Sequence, residues 1–318
     1  MLYTHITEII GNTPLLRIDP AVHQLANVEL YAKLEHLNPF GSLKDRTAWG
    51  LVKDALPHII EQQQTIVEFS SGNTAKALAI LASVHGLDFQ TITNRIKVPE
   101  VYNVLKVVGA AIDTLPGTTE CPDYVYLEQQ TGDHPDHYFH TDQYRNAKNY
   151  QVHYETTGRE IFEDLGPVDY LYGGLGTAGS TRGVTAFLHE KNPALQSIGI
   201  VAELDHSIPG LRNIDEMADM GIFEKNLYQD LVVIDIPHAL DGMLTLIRRC
   251  GVLCGPGSGA VYAGIRQHLQ HQSLHWTRPV KVVFIVCDRM EWYISYLQKH
   301  RPDLFDTQIS DAASIASV

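Results

Sequence analysis

Runs of β-branched and apolar residues alternate with helix-like stretches along most of the chain, and this alternation limits the fold more than any other feature. Leu30 to Leu37, Thr65 to Phe69, Phe89 to Thr93, Ile112 to Leu115, Val168 to Tyr172, Ile198 to Ala202, Leu231 to Ile236 and Val280 to Cys287 read as strands. Lys44 to Leu56, Thr74 to His85, Pro99 to Gly109, Tyr150 to Leu165 and Gly183 to Lys191 read as helices between them. The later strands are near-continuous apolar runs, the pattern of strands buried on both faces of a parallel sheet. The expected fold class is therefore α/β, with parallel sheets joined by right-handed crossovers. At ~150 residues per domain, 318 residues suggest about two domains. A composition shift at Thr114 to Pro122 marks a loop, and the small, polar end Asp306 to Val318 is expected to fray.

Charge and cysteine usage remove several classes of function. The chain carries 24 Lys and Arg against 37 Asp and Glu, a net charge of −13, with no run of cations. Nucleic-acid affinity depends on clustered cations at phosphates, so neither a nucleic acid nor an acidic membrane surface is expected as a partner. No apolar stretch approaches the ~18 residues needed to cross a bilayer, and no cationic, apolar leader opens the sequence. Four cysteines, Cys121, Cys250, Cys254 and Cys287, form no Cys-x-x-Cys pair, and no His-Glu-x-x-His is present. A metal site is not expected. Cys250 and Cys254 would share one face of a helix, as small core residues. Unpaired thiols and the lack of a leader point to the cytoplasm.

In open α/β sheets, ligands collect where strands end and helices begin. Three such turns stand out. Asn38-Pro-Phe-Gly-Ser-Leu-Lys44-Asp-Arg46 opens a helix with a lysine in its first turn. Ser70-Ser71-Gly72-Asn73-Thr74-Ala75 follows a strand and precedes an apolar helix, with more small polar residues than one N-cap requires. Such a turn suits a carboxylate or a phosphate. Gly173-Gly174-Leu-Gly176-Thr177-Ala178-Gly179-Ser180 again runs from strand to helix. Its letters match a dinucleotide Gly-x-Gly-x-x-Gly, but the acidic residue expected ~20 positions on comes later, at Glu203. An NAD-binding oxidoreductase thus remains a possible reading of that turn alone.

Together, in this order and spacing, the three turns resemble pyridoxal-phosphate enzymes of the cysteine synthase and cystathionine β-synthase family. Ile10-Gly-Asn-Thr-Pro-Leu-Leu resembles that family's opening, Asp142-Gln-Tyr-Arg-Asn-Ala-Lys-Asn and Glu155-Thr-Thr-Gly-Arg-Glu-Ile its middle, and Gly255-Pro-Gly-Ser-Gly-Ala its cofactor-ring segment. The resemblance implies fold type II: two open, twisted parallel-sheet domains flanked by helices, dimerising as a homodimer. Residues 1–40 and 146–318 would form the larger domain, and 41–145 a smaller, mobile one. It implies that Lys44 bonds the aldehyde of pyridoxal 5′-phosphate and then carries the substrate's α-proton. Gly176, Thr177, Ala178, Gly179 and Ser180 would cup the cofactor phosphate, and Asn73 would meet the ring hydroxyl. Ser70, Ser71, Thr74 and Gln143 would hold the substrate α-carboxylate.

The departures from the family carry further expectations. Gly257 stands where a serine usually faces the pyridine nitrogen, so either Ser258 takes that task or the nitrogen lacks a side-chain partner. Ala75 and Ala178 replace usual glycines. Lys76 occupies a normally apolar position and reads by itself as a lysine on a helix surface. Leu211-Arg212-Asn213-Ile-Asp215-Glu216 resembles a segment of O-phosphoserine-using members, in which the arginine meets the substrate phosphate. Arg212 reads equally as a surface-loop arginine paired with Asp215 or Glu216. The activity implied is β-replacement on O-phosphoserine or O-acetylserine through an aminoacrylate, with sulfide as nucleophile to give cysteine. An amine nucleophile, homocysteine, a dehydratase, and a weakly catalytic homologue acting as a binding partner are the rival readings.

Overall fold

The computed structural model describes residues 2–93, 98–114, 124–218 and 220–306. The loop expected after Thr114, Cys121 within it, and the tail after Asp306 lie outside the described residues. Among the described residues, ten strands build two sheets: β1 (Leu15–Arg17), β2 (Val28–Leu34), β3 (Thr65–Phe69), β4 (Phe89–Thr93), β5 (Ala111–Thr114), β6 (Tyr138–His140), β7 (Tyr170–Gly174), β8 (Gln196–Ala202), β9 (Asp230–Ile234) and β10 (Val280–Val286). The first sheet has the order β1-β2-β10-β7-β8-β9, and only the β1–β2 pair is antiparallel. The second, β5-β4-β3-β6, is parallel throughout. The expected α/β class is the one observed.

β10 shows why a continuous apolar run specifies a central strand. Alternate residues point to opposite faces of a sheet. Val280, Val282, Phe284 and Val286 join Leu30, Tyr172, Ile200 and Tyr262 in one core, while Val283 and Ile285 join Ile161, Val184 and Leu188 in another. From Val282 onward neither face meets water, so no polar alternation survives there in the sequence. In the second sheet, Ile66 and Phe89 pack against Leu78 and Leu81 of the helix Asn73–Val84. Val67, Phe69 and Ile92 face Leu175, Val201 and Met217.

Element boundaries differ from expectation for identifiable reasons. The strand expected to reach Leu37 stops at Leu34, because Glu35 turns inward to meet Arg46. The helix expected over Lys44 to Leu56 divides into Lys44–Val52 and Leu56–Gln62, the second starting with Pro57 in its first turn. Proline has no N–H to continue the earlier helix. The single helix expected from Tyr150 starts at Lys148 and carries a π-turn over Tyr154–Gly158. Cys250 and Cys254 do not share a helix: the helix Ile236–Cys250 ends at Gly251 with φ +69°, and Cys254 pairs with Arg289 in an isolated bridge. Cys254 is nevertheless buried in the core, with Cys250 packed against it. The helices Ile236–Cys250 and Pro256–Gln272 and the short strands β1 and β6 are additions to the sequence reading.

The helix Lys44–Val52 is tied to the larger sheet through one guanidinium. Arg46 donates from Nε and Nη2 to Glu35 at 2.7 and 2.8 Å, and from Nη1 and Nη2 to Glu160 at 2.6 and 2.7 Å. Lys33 Nζ reaches Glu160 at 2.7 Å and the Thr13 carbonyl at 2.6 Å. Removing one partner of a buried pair strands the others, so Arg46→Met is expected to lower stability by about 3–5 kcal/mol near neutral pH. Arg46 and Lys33 hold the Glu160 carboxyl down to about 2, although burial opposes them. That stabilisation is present above the unfolded carboxylate pKa of ~4.3 and is lost as pH falls toward 2. The gap between wild type and variant in urea midpoint should therefore shrink below pH 4. A constant gap counts against this account.

Candidate active site

The C-terminal ends of β3, β7 and β10 open on one crevice, which collects all three turns singled out above. Lys44, Ser70, Ser71, Asn73, Thr74, Gln143, Gly176, Thr177, Ala178, Ser180, Arg212 and Gly257 all line it. Gly179 and Ser258 do not, and each has another task. A Cβ on Gly179 would lie 2.1 Å from Asn149 Oδ1, so its lack of a side chain serves packing beneath the turn. Ser258 is fully buried, and its Oγ accepts the Cys287 N–H at 2.8 Å.

Lys44 opens its helix, with Ser42 Oγ accepting the Lys44 N–H at 3.2 Å. Its ammonium lies 3.4 Å from Thr177 Oγ1, which joins the first turn to the third. Burial lowers its pKa to about 8; Cys287 and Glu68 oppose that shift and Arg212 adds to it. An amine tuned in this way is a usable nucleophile and base near neutral pH.

The second turn precedes the helix Asn73–Val84, whose first N–H groups have no partner within the helix. Ser70 Oγ accepts from Ala75 N at 3.3 Å and Gly72 N at 3.4 Å. Thr74 donates to Gln143 Oε1 at 2.7 Å. Gln143 is fixed in turn by Glu68, which accepts its backbone N–H at 3.0 Å and the Thr141 hydroxyl at 2.5 Å. Burial raises Glu68 to about 7, against those hydrogen bonds. Glu68, Tyr144, Cys287, Asp288 and Tyr293 are site residues that the sequence reading missed. Cys287 and Asp288 follow the last buried strand directly, and that strand-end position was the available signal.

The third turn starts the helix Gly179–Lys191. Thr177 Oγ1 accepts from Gly179 N at 3.3 Å and from Asn149 Nδ2 at 3.2 Å. Ala178 sits in the left-handed region, φ +66°, where a residue with a Cβ is strained and glycine is not. A Cβ on Gly176 would lie 2.7 Å from the Gly210 carbonyl, so the floor of this turn has no room for one.

One lysine reading changes, and one of the two arginine readings falls away. Lys76 is 1% exposed, not on a helix surface, with Nζ 3.9 Å from the centre of the Trp292 ring. Arg212 is 9% exposed and faces the crevice, not a surface loop. Its backbone is pinned between Leu175 and Ala202 by two 2.9 Å hydrogen bonds. Glu216 belongs instead to a capping box with Asn213.

A family described as pyridoxal-phosphate dependent enzyme matches residues 6–288. The chain belongs to that family. Cysteine synthase B of Pseudomonas aeruginosa is 30% identical over 304 residues, covering 92% of this chain and 96% of that protein. The N-(2-amino-2-carboxyethyl)-L-glutamate synthase of Ralstonia nicotianae is also 30% identical, covering 92% and 89%. The solved structure of a hydrogen sulfide-producing enzyme from Fusobacterium nucleatum superposes with a TM-score of 0.84 at 27% identity, covering 92% of this chain and all of that one. A pyridoxal-phosphate dependent enzyme needs an amine, a phosphate site and polar groups for the ring, and this crevice fits them. Lys44 would provide the amine, the Gly176–Ser180 turn leads into a helix N-terminus, and Asn73 Oδ1 is a buried acceptor without a partner among the described residues.

With a pKa of about 8, roughly a tenth of Lys44 is neutral at pH 7, far more than for an ordinary lysine. An amine-reactive label applied to the cofactor-free protein should therefore modify Lys44 ahead of the surface lysines, its rate rising from pH 7 to 9. Peptide mapping measures this, and labelling no faster than at Lys53 would contradict it.

Proposed function

We propose that this enzyme runs β-replacement on an activated L-serine, with O-phosphoserine as the donor and sulfide as the nucleophile, giving L-cysteine. The observation that carries the donor assignment is Arg212, a buried guanidinium on the same crevice as Lys44 and the Ser70–Thr74 turn. Its planar fork suits a phosphate, and its pinned backbone keeps it in place without a conformational search. O-acetylserine offers no charge for it to meet. Bound in the crevice, pyridoxal phosphate supplies the electron sink for the charge left at Cα.

In this reading the protein's own groups divide the remaining work. The N–H groups at the start of the helix Asn73–Val84, with Ser70, Ser71 and Thr74, hold the α-carboxylate. Gln143, braced by Glu68, closes that clamp. Lys44 Nζ takes the α-proton and holds it until product forms. Gly176 to Ser180 seat the cofactor phosphate, and Asn73 meets the ring hydroxyl. Gly257 gives the pyridine nitrogen no side-chain partner, and Ser258 stays engaged with Cys287. Residues 41–145 would act as the smaller domain, closing on 1–40 and 146–318 to exclude water, and two chains would pair as a homodimer. The separation of β3 to β6 into their own sheet supports that division. The relative in Ralstonia nicotianae, named for its N-(2-amino-2-carboxyethyl)-L-glutamate product, supports an amine nucleophile as the second reading.

Rapid-scan absorbance after mixing with each donor tests the proposal. O-phosphoserine should change the cofactor band within a turnover and O-acetylserine should not. A response to O-acetylserine alone would remove Arg212 from its role, and silence with both would favour a non-catalytic homologue. Arg212→Gln loses charge-assisted hydrogen bonds, so its KM for O-phosphoserine should rise about 10- to 100-fold. Adding sulfide, then an amino-acid amine, to the donor-loaded enzyme separates the two nucleophiles by which one restores the starting spectrum.

A further inference from the structure

One buried side chain beneath the crevice joins the Lys44 helix, Gln143 and the Gly176–Ser180 turn, and no step above uses it. Asn149 lies on the helix Lys148–His153 and is fully buried. Its Nδ2 donates to the Gln143 carbonyl at 2.6 Å and to Thr177 Oγ1 at 3.2 Å. Its Oδ1 accepts from Thr47 Oγ1, one turn on from Lys44, at 3.5 Å. The packing makes room for it. Gly179 and Gly183 lie one turn apart on the helix Gly179–Lys191. A Cβ on the first would stand 2.1 Å from Asn149 Oδ1, and one on the second 2.1 Å from the Tyr150 carbonyl.

The direction of these hydrogen bonds follows from their fixed ends. A backbone carbonyl can only accept, so the Asn149 amide must turn its NH2 toward Gln143. Its second N–H then points at Thr177 Oγ1, which also accepts the Gly179 N–H at 3.3 Å. A hydroxyl has two lone pairs and one proton. Asn149 and Gly179 occupy the lone pairs, so the Thr177 proton turns the other way, to the crevice side, where Lys44 Nζ stands 3.4 Å off. His153 closes the column from behind. Burial lowers its pKa to about 3, so the ring is neutral and carries one proton. Its Nε2 lies 3.0 Å from Thr47 Oγ1 and its Nδ1 3.0 Å from Thr157 Oγ1. With the Thr47 proton given to Asn149, the His153 proton sits on Nε2.

We propose that Asn149 is a positioning residue that couples the two binding halves of the site. One amide holds the backbone of Gln143, in the carboxylate clamp, and turns the Thr177 hydroxyl outward as a donor in the phosphate turn. The inference rests on the functional reading above, in which Gln143 serves the substrate and Thr177 the cofactor. Asn149 lies beneath the crevice lining and acts through these two residues, so losing its donors weakens both ligands together.

The test is a double-mutant cycle on cofactor affinity, with the KM for O-phosphoserine and thermal melting measured alongside. Asn149→Asp keeps the shape and replaces the NH2 by an oxygen, which repels the Gln143 carbonyl and draws the Thr177 proton inward. Its Kd for pyridoxal phosphate and its KM for O-phosphoserine should both rise about tenfold, the effect of one lost hydrogen bond on each side. Thr177→Val should raise the Kd to a similar extent and move the KM less. The double variant should bind the cofactor no worse than the weaker-binding single variant, because both changes remove the same donor. Asn149→Leu, uncharged and of similar size, should act in the same direction, and it decides the matter if Asn149→Asp shows no melting transition. Kd effects that multiply in the double variant, or a KM unmoved by the Asn149 substitutions in folded protein, overturn this proposal and leave the functional reading standing. A wild type that binds no pyridoxal phosphate overturns both.

Discussion

The Arg46 guanidinium is the point on which fold and site both depend. It is buried, and its donors reach two carboxylates, Glu35 at the end of β2 and Glu160 at the start of the helix Arg159–Leu165. Lys33 and Thr13 complete the cluster. Burying such charges is unfavourable by several kcal/mol each, and that penalty is offset only when partners are close and complete. Well-packed apolar residues can stabilise a core as effectively, so what this cluster adds is position. It sets the first turn of the helix Lys44–Val52 against the larger sheet, and Lys44 lies two residues away on that turn.

The crevice above this anchor is governed by desolvation. The same removal from water pushes Lys44 down to about 8, Glu68 up to about 7 and Cys287 up to about 12. The signs differ because burial always disfavours the charged form. Near neutral pH, Cys287 thus remains a thiol while part of Lys44 is an uncharged amine. Of these two neighbouring candidate nucleophiles, the environment activates the amine and quiets the sulfur. Glu68, close to its own pKa there, still braces Gln143 through the backbone N–H and the Thr141 hydroxyl.

How much of this was legible in the sequence follows from which forces are local. β3 and β4 were read to the residue because each is a short run rich in β-branched and aromatic residues bounded by polar turns. The Ser70–Ala75 and Gly176–Ser180 turns were legible because helix starts demand small polar residues. Lys76 reads as a surface lysine because the ring that covers it, Trp292, belongs to a distant segment, and the two readings of Arg212 stay open in the sequence because Tyr144, which covers it, is equally distant. No periodicity links such positions. Ser258 was a candidate by adjacency to Gly257, but one step along a helix turns a side chain by about 100°. That rotation takes Ser258 away from the crevice and toward Cys287.

Among the departures from the family pattern, Lys76 is buried against the Trp292 ring. Trp292 places a ring face against the ammonium, where the attraction is strongest away from water. Space had to be found as well: a Cβ on Gly255 would lie 2.3 Å from Asp288 Oδ1. The turn that opens the helix Pro256–Gln272 is therefore bare where the carboxylate stands, and it contributes Gly257, without a side chain, to the crevice. One turn thus provides both the space in which the Asp288 carboxylate stands and the bare lining at Gly257.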